Sequence, residues 1–253
     1  MPAKLSLVGA GPGDPELISL KAIKVLESAD VILYDALVNP KIFDLFKSKA
    51  ELIFVGKRKG KPSISQEQIN ELILNKLKQG QDVVRLKGGN PLVLARGIEE
   101  IELAQHYGFE YQVIPGLTSG LAIPSARAIT LTRREQSDSV TLVTGHQINE
   151  KKLKLWTEII LSGGTLVVYM GLSNIVEIIA GFKQKIEPNL TAITIHNGSL
   201  EDEKLIISNL SNLAQDLIDN EIKPPALLIF GKHINTELVL EQIRVETPLL
   251  ELG

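Results

Sequence analysis

Cysteine is absent from this chain, which excludes disulfides, thiolate metal sites and cysteine nucleophiles in one step. Long apolar runs are also missing: no stretch approaches the roughly 20 residues that span a bilayer as a helix, so no membrane partner is expected. Histidine is scarce, at positions 106, 146, 196 and 233 only, and no two have metal-ligand spacing, so no dedicated metal site is expected. Nor is there a surplus of positive charge. The formal net charge of −3 argues against a general nucleic-acid binder. Met1-Pro2-Ala3-Lys4 runs straight into a strand-like segment and lacks signal-peptide anatomy. Internal repeats and low-complexity tracts are absent as well. These absences lead to the expectation of a cytoplasmic globular protein. Its 253 residues, 44% of them hydrophobic, suffice for one large domain or two of about 120 residues with a filled core.

The first half alternates short β-branched runs with amphipathic stretches. Leu5-Ser6-Leu7-Val8, Val31-Ile32-Leu33-Tyr34, Leu52-Ile53-Phe54-Val55, Asp82-Val83-Val84-Arg85-Leu86 and Tyr111-Gln112-Val113-Ile114 read as strands. Near-helical spacing of apolar residues predicts a helix over 16–28. Ser65-Gln66-Glu67-Gln68 has the form of a capping box opening a helix that runs to about Lys78 and stops at Gly80. Alternation of this kind predicts a mainly parallel sheet with helices on its faces. In the second half, strand patterns fall at 141–144, 165–169, 191–195, 204–207 and 226–230, with helical patterns around 150–161, 173–182 and 209–219. The Asn197-Gly198-Ser199 turn between the third and fourth of these strands predicts an antiparallel pair, and hence a mixed sheet. The expected fold class is therefore α/β in two domains, 1–132 and 133–253, divided in the polar, aperiodic stretch around 130–138.

Several motifs at predicted strand ends could carry chemistry. Gly9-Ala10-Gly11-Pro12-Gly13-Asp14 lets backbone approach a ligand closely and could aim N–H groups at an anion. Its plainer reading is a tight strand-to-helix turn capped by Asp14. A dinucleotide fingerprint would want Gly or Ala at Asp14, and Pro12 removes a donor, although Asp35 mimics the ribose-binding acid of that fold. Arg85-Leu86-Lys87-Gly88-Gly89-Asn90-Pro91 places a glycine pair where open α/β sheets bind ligands, and Arg96 and Glu99 follow it. Pro115-Gly116-Leu117-Thr118-Ser119 offers two hydroxyls at a helix start, which an ordinary cap would also explain. Lys57, Arg58, Lys59 and Lys61 follow the third strand, and Arg127, Arg133 and Arg134 lie beyond the fifth. Such runs are commonly solvated surface. Cations gathered on one rim of a net-negative protein instead point to a polyanionic ligand.

The order of these motifs carries a resemblance. Val8-Gly-Ala-Gly-Pro-Gly-Asp-Pro-Glu-Leu17, Leu33-Tyr-Asp-Ala-Leu-Val38, Val55-Gly-Lys-Arg58 and Arg85-Leu-Lys-Gly-Gly-Asn-Pro91 are followed by Arg96-Gly-Ile-Glu-Glu100 and Val113-Ile-Pro-Gly-Leu-Thr-Ser119. Val143-Thr-Gly-His146, Tyr169-Met-Gly171, Asn197-Gly198 and Pro225-Ala-Leu227 complete the series. Together they resemble the uroporphyrinogen-III C-methyltransferases of the wider tetrapyrrole methylase family, over nearly the whole chain.

That resemblance implies a homodimer whose cofactor, S-adenosyl-L-methionine, sits in a cleft between two α/β domains and leaves as S-adenosyl-L-homocysteine. It implies two methyl transfers to uroporphyrinogen III, giving precorrin-2 for sirohaem or cobalamin biosynthesis. By motif match, Pro12, Gly88, Gly89, Asn90, Val93, Thr118, Ser119, Met170, Gly198 and Ala226 would line the cofactor pocket. Asp35 and Lys57 occupy positions with acid/base roles, and Arg96 and Glu99 match residues implicated in tetrapyrrole holding and proton removal. Arginine's very high pKa makes Arg96 a carboxylate clamp rather than a base, leaving Asp35 or Glu99 as proton acceptor. The chain departs from the family, which usually has Asp at Asn90, Arg at Ala36, Phe-Gly at Leu94-Ala95, Gly at Ile98 and His at Arg133. Ile123-Pro-Ser-Ala-Arg-Ala-Ile-Thr130 also replaces a usual Tyr-Ala-Gly-Ile-Pro run. Most departures fall on the substrate side. Rival expectations are a sister methylase acting on a later precorrin, an NAD-binding oxidoreductase resting on Gly9, Gly11 and Asp35, and a non-catalytic binder of a nucleotide-like ligand.

Overall fold

A computed structural model describes residues 3–56, 64–234 and 236–246. The chain divides into two compact units, Met1–Ser119 and Gly120–Gly253. In the first, β1 (Lys4–Gly9), α1 (Leu20–Glu27), β2 (Val31–Tyr34), β3 (Glu51–Phe54), α2 (Gln66–Lys78), β4 (Val83–Lys87), α3 (Gly97–His106) and β5 (Glu110–Ile114) follow in order. The sheet order is β3-β2-β4-β1-β5 and every pairing is parallel. The expected strands are all present. The expected capping box is formed too, with Ser65 Oγ accepting from the Gln68 N–H and Gln68 Oε1 accepting from the Ser65 N–H. The helix expected over 16–28 is shorter. Asp14 caps a 3-10 turn at Pro15–Leu17, and Ser19 restarts the chain as α1 by accepting from the Ala22 N–H at 3.1 Å.

Alternation along each strand sorts the core onto two faces. Leu5, Leu7, Val31, Leu33 and Val83 pack with Ile69, Ile73 and Leu77 of α2 and Ile101 and Ala104 of α3. Val8, Ile32, Val84, Leu86 and Ile114 pack on the other face with Ala22 and Leu26 of α1. Each such valine, leucine or isoleucine side chain, fully buried, contributes about 1.5–3 kcal/mol. This division locates the site. Neighbouring strands β1 and β4 send their crossovers in opposite directions, toward β2 and β5, and onto opposite faces. The carboxyl ends of two such strands are where open α/β sheets bind ligands.

The second unit holds most of α4 (Ser119–Ala126), then β6 (Val140–Thr144), α5 (Glu150–Leu161), β7 (Thr165–Tyr169), α6 (Ile175–Phe182), β8 (Thr191–His196), β9 (Lys204–Asn209), α7 (Leu213–Asp219), β10 (Ala226–Phe230) and α8 (Thr236–Glu246). Its sheet runs β6-β7-β10-β8-β9, with β6 and β7 parallel and the other pairs antiparallel. The expected mixed sheet is therefore present, including the antiparallel β8–β9 pair. The stretch 130–138 lies inside this unit, and the division comes earlier because Ile123 and Ile129 are buried with Val167, Ile193, Ile195 and Ile229. A polar loop marked the sequence boundary, whereas packing of the short helix before it sets the structural one. Among the described residues no helix is long and apolar enough to cross a membrane.

Candidate functional site

Backbone meets backbone at the carboxyl edge of the first sheet. Gly11 and Gly89 form an isolated antiparallel bridge, with Gly89 N donating to Gly11 O at 2.7 Å and Gly11 N to Gly89 O at 3.3 Å. A Cβ on Gly9 would lie 2.4 Å from Gly116 N and 2.6 Å from Gly89 O, and one on Gly116 only 2.3 Å from Gly89 O. No side chain fits at either position, so the glycines that end β1 and follow β5 are needed for close approach. The N–H groups of Ala10, Gly11 and Gly89 are spent on this joinery, so the β1 loop does not offer those donors to an anion.

Gly89 differs from the other two. Its φ is +67° and the space its Cβ would occupy has no heavy atom within 4 Å. An open backbone face above a closed glycine floor fits a flat or extended ligand that must touch main chain. Asn90 ties the floor together, its Nδ2 donating to Gly116 O at 3.1 Å and its Oδ1 accepting from Leu92 N at 2.9 Å. An aspartate has no N–H for that carbonyl, which gives the departure at Asn90 a local structural use. Among the other expected cofactor residues, Pro12, Val93, Thr118 and Ser119 are half-buried on the same three loops.

Charge is arranged just beneath the floor. Arg85 is 2% exposed and Glu100 fully buried. Arg85 donates Nε to Glu100 Oε1 at 3.0 Å and Nη2 to Asp35 Oδ1 at 2.5 Å, while Nη1 reaches the carbonyls of Leu33 and Leu86. Lys87 Nζ donates to the same Glu100 oxygen at 3.2 Å. Burial pushes the Lys87 ammonium below the usual lysine range, helped by Arg85 and opposed by Glu100 and Asp35. Glu100 was not among the candidates drawn from the sequence. Its signal would have been the acid three residues after Gly97, on the buried face of a helix packed against β1 and β5.

Beyond the floor, Leu94 and Arg96 take left-handed φ of 54° and 55°, strain of about 1–3 kcal/mol each that commonly accompanies a functional loop. Arg96 starts α3 and meets Glu99 through two hydrogen bonds, Nε to Oε1 at 2.7 Å and Nη2 to Oε2 at 2.8 Å. That hydrogen-bonded partner pushes the Arg96 guanidinium further up. Lys57 and Arg58 lie outside the described residues. Arg127 is not a free rim cation: it forms an ion pair with Glu203, whose other oxygen accepts from the Ser199 N–H.

The second unit gathers its own expected residues on one sheet edge. Thr144 pairs with Tyr169, Leu227 with Tyr169 and Ala226 with His196, so the ends of β6, β7 and β8 and the start of β10 coincide. Met170 follows β7 with φ 53° and stays exposed. The stretch 197–203 is longer than a tight turn, and there Asn197 and Ser199 take the left-handed φ. Gly198 is needed for a different reason, since a Cβ would lie 2.6 Å from Ile123.

Asp35 also removes the dinucleotide reading. In a Rossmann sheet β1 and β2 are neighbours, so the acid ending β2 reaches a nucleotide on the β1 loop. Here β4 intervenes, and Asp35 pairs with an arginine of that strand.

Residues 4–214 match the family described as tetrapyrrole (corrin/porphyrin) methylases. The uroporphyrinogen-III C-methyltransferase of Methanocaldococcus jannaschii is 39% identical over 237 residues, covering 93% of this chain and 98% of that one. A Thermus thermophilus uroporphyrin-III C-methyl transferase solved with S-adenosylhomocysteine has a TM-score of 0.75 at 32% identity, over 96% of this chain and all of that one. A cobalt precorrin-4 methyltransferase of cobalamin biosynthesis has a TM-score of 0.80 at 26% identity, over 90% of this chain and 94% of the other.

Proposed function

This chain belongs to the tetrapyrrole (corrin/porphyrin) methylases, and from that membership we propose that it is an S-adenosylmethionine-dependent C-methyltransferase acting on uroporphyrinogen III. The observation that carries the reading is the edge of the first sheet. An open main-chain face at Gly89 stands over a floor without side chains, with the Asp35 carboxylate ending β2 and the Arg96 guanidinium opening α3.

S-adenosylmethionine supplies a methyl group on a sulfonium, and the protein's task is to align it with a carbon nucleophile. The residues assigned to the cofactor are Gly88, Gly89, Asn90, Val93 and Pro12, with Thr118 and Ser119, together with Met170, Gly198 and Ala226. Arg96 takes a substrate carboxylate. Glu99 occupies the Nε–Nη2 edge of the guanidinium, which leaves the Nη1 side for that second acid. An attacking pyrrole carbon requires the conjugated system to shed a proton, and Asp35 receives it. Both Glu99 oxygens are committed to Arg96, whereas Arg85 engages only Asp35 Oδ1 among the described residues, and Asp35 is 28% exposed. Lys57 keeps its acid/base role in this reading. A homodimer in the cytoplasm completes it, and light scattering of the pure protein tests the dimer.

A second reading is a sister enzyme methylating a later precorrin. It is favoured by the higher TM-score to the cobalt precorrin-4 methyltransferase and by the departures at Ala36, Leu94-Ala95 and Ile98. Incubation with uroporphyrinogen III and labelled S-adenosylmethionine, followed by mass analysis of the tetrapyrrole, decides between them. Uroporphyrinogen III gaining two methyl groups is expected. An unlabelled tetrapyrrole from a protein that binds the cofactor would transfer the assignment to the later precorrins.

A further inference from the structure

We infer that Arg85 and Glu100 are positioning residues that fix the Asp35 carboxylate for proton removal, with Lys87 as the second cation of a four-charge cluster from which only Asp35 reaches the surface. The inference rests on the proposed role of Asp35.

Arg85 leaves β4 beneath the edge of the sheet, and each of its three nitrogens is engaged. Nη1 bonds the carbonyls of Leu33 and Leu86, Nη2 bonds Asp35 Oδ1, and Nε bonds Glu100 Oε1. A guanidinium engaged at every nitrogen is oriented by its partners, and it orients in turn the oxygen it holds. The Asp35 backbone is anchored to the same strand, its N–H donating to Leu86 O at 3.3 Å. Glu100 in turn fixes Arg85. Its Oε1 accepts from Arg85, from Lys87 and from Gln66 Nε2 at 3.3 Å, which ties β4, α2 and α3 to one carboxylate oxygen. Two cations and two acids make the cluster neutral. A neutral cluster limits the cost of burying it, but apolar side chains of similar volume commonly serve stability as well or better. Stability alone therefore gives little reason for this cluster, whereas placing one oxygen does. A misplacement of about 1 Å at a reacting group can cost on the order of 100-fold in rate.

The test is a double-mutant cycle on kcat with uroporphyrinogen III and S-adenosylmethionine, using Arg85→Met/Glu100→Gln as one arm and Asp35→Asn as the other. The paired change removes one charge of each sign and leaves Lys87 an acceptor, so the fold is kept, as thermal melting will report. Expected are a kcat about 10- to 100-fold lower with KM for the tetrapyrrole little changed, unaltered cofactor binding by calorimetry, and a combined variant no slower than Asp35→Asn alone. Arg85→Lys, which cannot span Asp35 and Glu100 together, should not restore kcat. Losses that multiply in the combined variant, or a KM effect without a kcat effect, would overturn the positioning role alone. An Asp35→Asn variant with wild-type kcat would instead overturn the proton-acceptor reading beneath it, and the inference with it.

Discussion

Arg96 and Glu99 are joined by two hydrogen bonds of 2.7 and 2.8 Å across the first turn of α3, on a side chain that remains 62% exposed. An arginine held at one edge and open at the other is preorganised for a further acid. Its φ of 55° is one that non-glycine residues seldom adopt.

Arg96→Lys should therefore keep the fold and cofactor affinity but lower kcat/KM for the tetrapyrrole, by roughly 2–4 kcal/mol of transition-state stabilisation, because an ammonium cannot reproduce the planar fork. A pH–rate profile beside wild type checks it. Recovery of activity in alkali would make Arg96 the proton acceptor, and near-wild-type turnover at about pH 8 would make it a surface charge.

Two glycines of the floor should respond differently. Gly9→Ala puts a Cβ 2.4 Å from Gly116 N and 2.6 Å from Gly89 O, and should cost about 1–3 kcal/mol of stability in a urea melt. A Cβ at Gly89 meets no heavy atom within 4 Å, so the main effect of Gly89→Val should be cofactor affinity lowered at least ten-fold, about 1.4 kcal/mol, with the left-handed φ adding about 1–2 kcal/mol of strain. Calorimetry on a folded Gly89→Val protein with unchanged affinity would take this loop out of the cofactor site.

Salt should separate the two ligands. Uroporphyrinogen III carries several carboxylates, and the Arg96 guanidinium is exposed, so KM for the tetrapyrrole should rise with ionic strength as the pairing is screened. S-adenosylmethionine has little net charge and should bind almost unchanged. The same slope for both would speak against a polyanionic substrate.

Lys87 makes stability depend on pH with a definite sign. Burial holds it below the usual lysine range in the folded chain, while an unfolded lysine titrates near about 10.4. Between those values the unfolded chain binds a proton that the folded chain lacks, so stability rises with pH through the window, and the penalty is complete below the folded value. Lys87→Met should flatten that rise in urea midpoints measured up to about pH 10.5. Identical slopes in variant and wild type would mean that Lys87 is as easily charged folded as unfolded.

The sequence by itself determined the elements and the loops that matter. Period-two runs such as Val31-Ile32-Leu33-Tyr34 and the capping box at Ser65 are local signals, because pleat and cap geometry involve residues a few positions apart. Glycines at strand ends announced a site for the same reason. What only the tertiary structure decided is what those residues meet. Strand order put β4 between β1 and β2, turning Asp35 from a ribose ligand into the partner of Arg85. It buried Glu100 under β4 and gave it two cations, although its neighbour Glu99 looks alike in sequence. It also crowded Gly198 against the Ile123 side chain, some 75 residues earlier in the chain, so that the demand for glycine there comes from packing and not from φ. Local chemistry fixes which conformations a residue prefers. Its neighbours across the sheet, distant in sequence, fix which charges are paired and which glycines have no room for a side chain.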